Sequence, residues 1–188
     1  VAGVPLIGRL LRALQPLTPE AIVCIINSQG SSIADYVRQH YPALPIEFVQ
    51  QDTASSYESF TVLCAHLHGS PFLVTTVDSV FPPDFLPRFV AAADQQLGMD
   101  MMLAVTTFID DEKPLHVRLD AHQRIIQLGE AARDSAYVTS GFYYCTPRIS
   151  AACASLSPTR VSALREFLGW LQQHGYWLQG YLAPKTID

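Results

Sequence analysis

Charge is what this 188-residue sequence has least of: 12 basic and 17 acidic side chains, 15% of the chain, with a net charge of −5. A surface meant to neutralise many nucleic-acid phosphates needs a basic face, so the balance argues against a nucleic-acid partner. A single nucleotide stays compatible, because one bound cation neutralises its phosphates locally. Long apolar runs are absent too. The longest, such as 21–26 and 72–74, fall far short of the roughly 20 residues a membrane-crossing helix needs, and no basic-then-apolar leader is present. No C-x-x-C pair occurs among Cys24, Cys64, Cys145 and Cys153, three of which sit in apolar segments. Free buried thiols in a reducing, cytoplasmic compartment are therefore expected.

Apolar residues are plentiful, at 49% of the chain, which argues against disorder. The length suits one domain with a substantial core. The same scarcity of charge suggests that part of the apolar surface is covered by another segment or subunit, so a homo-oligomer is an open expectation.

The hydrophobic pattern alternates between strand and helix. Residues 5–14 carry apolar side chains at helical spacing, with Pro5 near the first turn where its missing N–H is harmless. Residues 21–26 (AIVCII) read as a strand buried on both faces. A turn follows, and Ser32 is placed to cap a helix to about Tyr41. Strands are expected at 46–50, at 72–77 closing on Asp78, and at 102–108, 116–119, 124–128, 137–145 and 176–182. Helices are expected at 57–67, 84–97, 147–156 and 162–174, with Gly175 as a C-cap. Asp120-Ala121-His122 reads as the turn of a hairpin. The alternation predicts a three-layer α/β/α fold around a mostly parallel, mixed sheet. The opening on a helix, the stop just after a strand and the lack of an initiating Met read as a piece of a longer polypeptide.

Ligands of open α/β sheets bind beyond the carboxyl ends of the strands. Asp78 ends an apolar strand there, and a carboxylate at that edge suits Mg²⁺, which prefers oxygen ligands and keeps waters and substrate phosphates. The plainer alternative is an Asp that caps its turn. His66 and His68 are two apart and so point to different sides of a helix. Tyr143 and Tyr144 alternate on a strand, Trp170 and Trp177 read as packing aromatics, and no G-x-S-x-G elbow surrounds Ser140.

In chain order, the segments 1–7 (VAGVPLI), 49–60 (VQ…ASSYESF), 77–81 (VDSVF), 138–143 (VTSGFY), 163–175 and 185–188 (KTID) resemble the sugar-1-phosphate nucleotidyltransferases. The resemblance implies a Rossmann-like nucleotide-diphospho-sugar transferase fold and transfer of a nucleotidyl group from an NTP to a sugar 1-phosphate. It implies Mg²⁺ held by Asp78 and Asp188, with Asp78 catalytic. Gln50, Thr53, Ser55 and Ser56 would face the nucleotide, and Glu130 and Gly141 the sugar.

This chain departs from the family at several points. The G-x-G-T-R-L loop, and the strand before it, lie outside these residues; Val77 replaces a Gly; Ser55 stands where the loop Gly is expected. By position Glu130 matches the acid of E-K-P and Ala131 stands in place of its Lys, while the literal Glu112-Lys113-Pro114 reads as a solvated loop. A non-catalytic nucleotide-sugar-binding domain, and cytidylyl- or guanylyltransferases acting on other phosphates, stay open at this point.

Overall fold

The computed structural model describes residues 3–67, 69–109, 112–157 and 161–185. The elements run α1 (Leu6–Leu14), β1 (Ile22–Ile26), α2 (Ser31–His40), β2 (Ile46–Gln50), α3 (Ser56–His66), β3 (Phe72–Thr75), α4 (Phe85–Gln95) and β4 (Met101–Thr106). They continue with β5 (His116–Leu119), β6 (Ile125–Leu128), β7 (Tyr137–Cys145), α5 (Pro147–Ser155), α6 (Leu164–Gln173) and β8 (Leu178–Leu182). Two short 3-10 turns, Gln15–Leu17 and Gly129–Ala132, complete the set.

β4 shows why there are three layers. All six of its residues are buried, and its side chains alternate between two cores. Met101, Leu103 and Val105 join Tyr57, Phe60, Ile149, Phe167 and Leu168, from α3, α5 and α6. Met102 and Ala104 join Phe85, Leu86 and Phe89 of α4 on the other side. Period-two alternation along one strand is what a sheet sandwiched between helices requires. Each large side chain so buried contributes about 1.5–3 kcal/mol.

The larger sheet has six strands in the order β6-β5-β7-β4-β8, with β3 also pairing β7. β7 runs antiparallel to β3, β4 and β5, and β4 runs parallel to β8. Hence β3, β4, β5 and β8 share one direction, against β6 and β7. A second, two-stranded sheet pairs β1 with β2 in parallel. The mixed, mostly parallel architecture expected from the alternation is present.

β7 changes partner midway. Residues Phe142 to Cys145 pair β3, whereas Tyr137 and Val138 pair β5. Between them Gly141 has φ +75°, and the register against β4 slips between Leu103 and Val105. Such a left-handed residue within a strand makes a bulge that a glycine adopts without strain.

Several details differ from the sequence expectation. β1 is not buried on both faces: Ile22 to Ile25 are half-buried and only Ile26 is covered, because no strand flanks its outer edge among the described residues. β3 stops at Thr75, so Asp78 lies three residues beyond the strand. α2 starts from Gly30, with no side-chain cap, instead of Ser32. A Cβ on Gly30 would meet Ile26 Cβ at 2.7 Å, so packing against β1 dictates the start. The hairpin turn is longer than three residues: Asp120 Oδ1 accepts from the N–H groups of His122 and Arg124, at 2.8 and 2.9 Å.

Between the outer edge of β1 and the end of β3 lies an apolar cavity of about 290 Å³, lined by Leu6, Ile7, Cys24, Ile25, Ile26, Ile33 and Val77. Helix α1 straddles the two sheets. Ile7 and Leu11 pack with Val37 and Tyr41 against β1 and β2, while Leu10 packs with Phe85 and Phe89 on the larger sheet.

Candidate functional site

Asp78 follows the carboxyl end of β3, and the nucleotide-side candidates follow that of β2. After β3, the hydroxyls of Thr76 and Ser79 bond each other at 2.9 Å. Ser79 is buried, whereas Val77 and Asp78 are exposed. Phe81 then anchors the segment, its ring standing edge-on to Phe142 with centroids 5.0 Å apart. Phe142 is the neighbour of Gly141 and pairs Thr75. The loop carrying Asp78 is thus fastened beside the bulge carrying Gly141. Next to that bulge the Ser140 Oγ is buried without a hydrogen-bond partner, and the Gly141 backbone is itself partly open.

On the β1–β2 side, a polar cavity of about 360 Å³ is lined by Ile25, Ile26, Asn27, Gln51, Asp52, Thr53 and Ser59. Of the four nucleotide-side candidates, only Thr53 lines it. Its Oγ1 is 2.6 Å from Ser59 Oγ. Gln50 lies beside the cavity and its Nε2 donates to the Ser28 carbonyl at 3.1 Å, while Asp52 Oδ1 accepts from Ser28 N–H at 2.9 Å. Asn27, Gln51, Asp52 and Ser59 were not singled out from sequence; the turn residues following two parallel strands were the available signal.

Ser55 and Ser56 have structural partners. Ser55 caps α3, its Oγ accepting from Glu58 N–H at 3.1 Å, while Glu58 Oε2 accepts from Ala54 N–H at 2.7 Å. This is a capping box shifted by one residue on its return arm. Ser56 Oγ accepts from Leu164 N–H at 3.0 Å and ties α3 to the start of α6. Each hydroxyl thus accepts one hydrogen bond within the fold and keeps its O–H to donate.

Glu130 sits in the short helix after β6, exposed, with Arg133 Nη1 3.6 Å from its carboxylate. Nearby Arg118 is paired with Asp134 and holds that carboxyl below its ordinary range. Because β5 pairs the start of β7, this hairpin hangs over the same edge as Gly141. Glu112 and Lys113 lie exposed before β5. Asp188 and His68 fall outside the described residues.

The remaining candidates are structural. His66 pairs with Glu47 at 3.1 Å. Tyr144 Oη donates to Asp94 at 2.6 Å, and Tyr143 packs into the α3–α5–α6 core. Trp170 stacks on Phe167 and His174. None of the four cysteines is joined in a disulfide.

Among the described residues no three His, Cys, Asp or Glu side chains converge as a metal cage, and no helix is long and apolar enough to cross a membrane. A lone exposed carboxylate on a strand-end loop suits a cation that takes its other oxygens from water and substrate, as Mg²⁺ does.

Solved structures share this fold. The inositol-1-phosphate CTP transferase of T. maritima superposes with a TM-score of 0.80 at 19% identity, covering 97% of this chain and 74% of that one. A Bacillus anthracis protein assigned as a glucose-1-phosphate thymidylyltransferase gives 0.80 at 16% identity, over 98% and 76%. A UDP-glucose pyrophosphorylase complexed with UDP-glucose gives 0.78 at 14%, over 98% and 83%. At such identities the likeness concerns the fold. No curated protein matches the sequence. The profile of the MobA-like NTP transferase domain matches residues 1–140, the stretch that supplies both strand-end loops and the first four residues of β7, and the chain belongs to that family.

Proposed function

We propose that this nucleotidyltransferase domain serves an enzyme joining an NTP to a sugar 1-phosphate, giving an NDP-sugar and pyrophosphate. What supports the proposal, in a chain of this family, is a polar cavity at the carboxyl ends of β1 and β2, together with the fastening of the Asp78 loop beside the Gly141 bulge on the larger sheet. An acceptor phosphate oxygen forms a bond to the α-phosphorus, the bond between that phosphorus and its bridge to the β-phosphate breaks, and pyrophosphate leaves. Such transfer is governed by positioning and charge neutralisation.

Asp78, open to solvent, would hold Mg²⁺ together with Asp188. When bound, that ion neutralises phosphate charge and fixes the approach of the two substrates. Thr53, with the Gln50–Asp52 backbone, would face the base from the polar cavity. The open backbone at Gly141 lets the sugar approach without a Cβ in its way, and Glu130 supplies acceptors for sugar hydroxyls.

We further propose that the slot beside β1 accepts one extended strand carrying the family's glycine-rich loop. A parallel insertion there would join the two sheets and cover Ile33 and Val77, exposed at 41% and 39%. Cysteines outside any disulfide fit a reducing, cytoplasmic setting.

The test uses the full-length polypeptide with Mg²⁺, a panel of NTPs and a panel of sugar 1-phosphates, reading pyrophosphate release. Asp78→Asn is expected to lower kcat by at least about 100-fold with an unchanged melting temperature. An active, well-folded D78N enzyme removes the metal role, and silence across both panels removes the sugar-phosphate reaction.

A further inference from the structure

The proposed reaction brings two polyanions to a chain whose net charge is −5, and position 131, where the resembled family carries a lysine, is Ala131. A side-chain cation at this edge would complement the metal ion in meeting the acceptor phosphate. The arginines nearest the β5–β6 hairpin are engaged: Arg118 with Asp134 and Arg133 with Glu130. Arg148 is bonded to Asp100, and Arg124 lies over Trp177.

Lys185 differs. The sequence has two lysines, at 113 and 185. Lys185 follows β8 by three residues, and its Nζ stands 4.0 Å from the ring centroid of Phe108, which follows β4 by two. β4 and β8 are parallel neighbours, with Val105 opposite Leu182 and Ala183 N–H bonded to Val105 O at 2.8 Å. Both strand ends therefore finish level. β4 also pairs Thr106 with Val138 at the start of β7, the strand that carries Gly141. The ammonium so rests on an aromatic face at the ligand edge, exposed, and with no carboxylate at ion-pair distance among the described residues. An aromatic face steadies a cation without neutralising it, and a lysine is a compact point charge suited to phosphate.

We propose that Lys185 binds the phosphate of the acceptor, replacing from β8 the charge absent at Ala131. This rests on the sugar-phosphate reaction proposed above. The experiment measures KM for NTP and acceptor, each with the other saturating, in the full-length protein and its Lys185→Gln, Lys185→Arg and Phe108→Leu variants. K185Q is expected to raise the acceptor KM by about tenfold or more while the NTP KM stays within about twofold, since one charged contact is lost. K185R should recover most of the loss, and F108L should raise the acceptor KM less than K185Q does. A wild type that turns over while K185Q leaves the acceptor KM unchanged, or shifts both KM values equally, overturns the lysine's role alone. A wild type that neither uses nor, by calorimetry, binds any sugar 1-phosphate overturns the underlying reaction, and the lysine's role with it.

Discussion

The carboxylate of Asp100 accepts a 2.7 Å hydrogen bond from the guanidinium of Arg148, joining the start of β4 to α5 in a spot where Asp100 is 2% exposed. Its second oxygen accepts from Trp177 N–H at 2.8 Å, so one side chain fastens three elements. Asp100→Ala leaves a buried amide unpaired and a cation without its partner. It should destabilise the fold by about 2–4 kcal/mol in urea unfolding. Arg148→Ala should cost clearly less, because the Arg148 side chain is 68% exposed and water replaces it. Equal losses from the two variants would contradict this asymmetry.

Ser55 separates a structural role from a binding one. Removing its hydroxyl deletes the cap bond to Glu58, at a cost of about 1 kcal/mol. The expected signature of Ser55→Ala is a lower thermal midpoint with an unaltered KM for nucleotide. A selective rise in that KM at constant stability would return the hydroxyl to the ligand.

Gly141 holds φ +75° inside β7. Any side chain there adopts a left-handed conformation at about 1–2 kcal/mol and also narrows the edge beside Asp78. Gly141→Ala should therefore lose stability by that amount and, in the full-length enzyme, lower kcat/KM for the acceptor more than for the nucleotide. An unchanged unfolding free energy together with an unchanged kcat/KM for the acceptor would contradict both parts.

Glu166 accepts from Ser162 N–H at 2.7 Å and from its hydroxyl at 3.0 Å, and these bonds hold its carboxyl below the ordinary value of 4.5. A carboxylate more acidic in the folded state stabilises only while ionised. Its contribution is complete above the unfolded value and fades as pH falls through the lower, folded one. The melting temperature of wild type should exceed that of Glu166→Gln at neutral pH, and the gap should close on acidification below about pH 4. A gap independent of pH would assign the effect to shape instead of charge.

Much of the fold was legible because its period was local. The all-apolar run at β4 and the helical spacings of α1, α4 and α6 each announce their element without reference to distant residues. What stayed hidden depends on neighbours far away in sequence. The run 21–26 looks as apolar as β4, yet β1 is half-buried because burial depends on a flanking strand. Ser32 has the side chain of a cap, yet the helix starts from Gly30, where Ile26 leaves no room for a Cβ. The partners of Ser55 and Ser56 within the fold are Glu58, close by, and Leu164, which no local pattern reveals. Asp78 stands out in sequence because it closes an apolar run, whereas Asp52 and Asn27 sit on turns whose meaning comes from the packing of two strands side by side.

The straddling position of α1 has a dynamic consequence. Because Leu10 belongs to one core while Ile7 and Leu11 belong to another, that helix ties the smaller sheet to the larger, and the two are expected to open separately. Amide exchange in β1 and β2 should proceed through openings that leave β4 and β7 closed. Any segment that docks in the gap should slow the smaller unit's exchange towards that of the larger, merging two unfolding events into one.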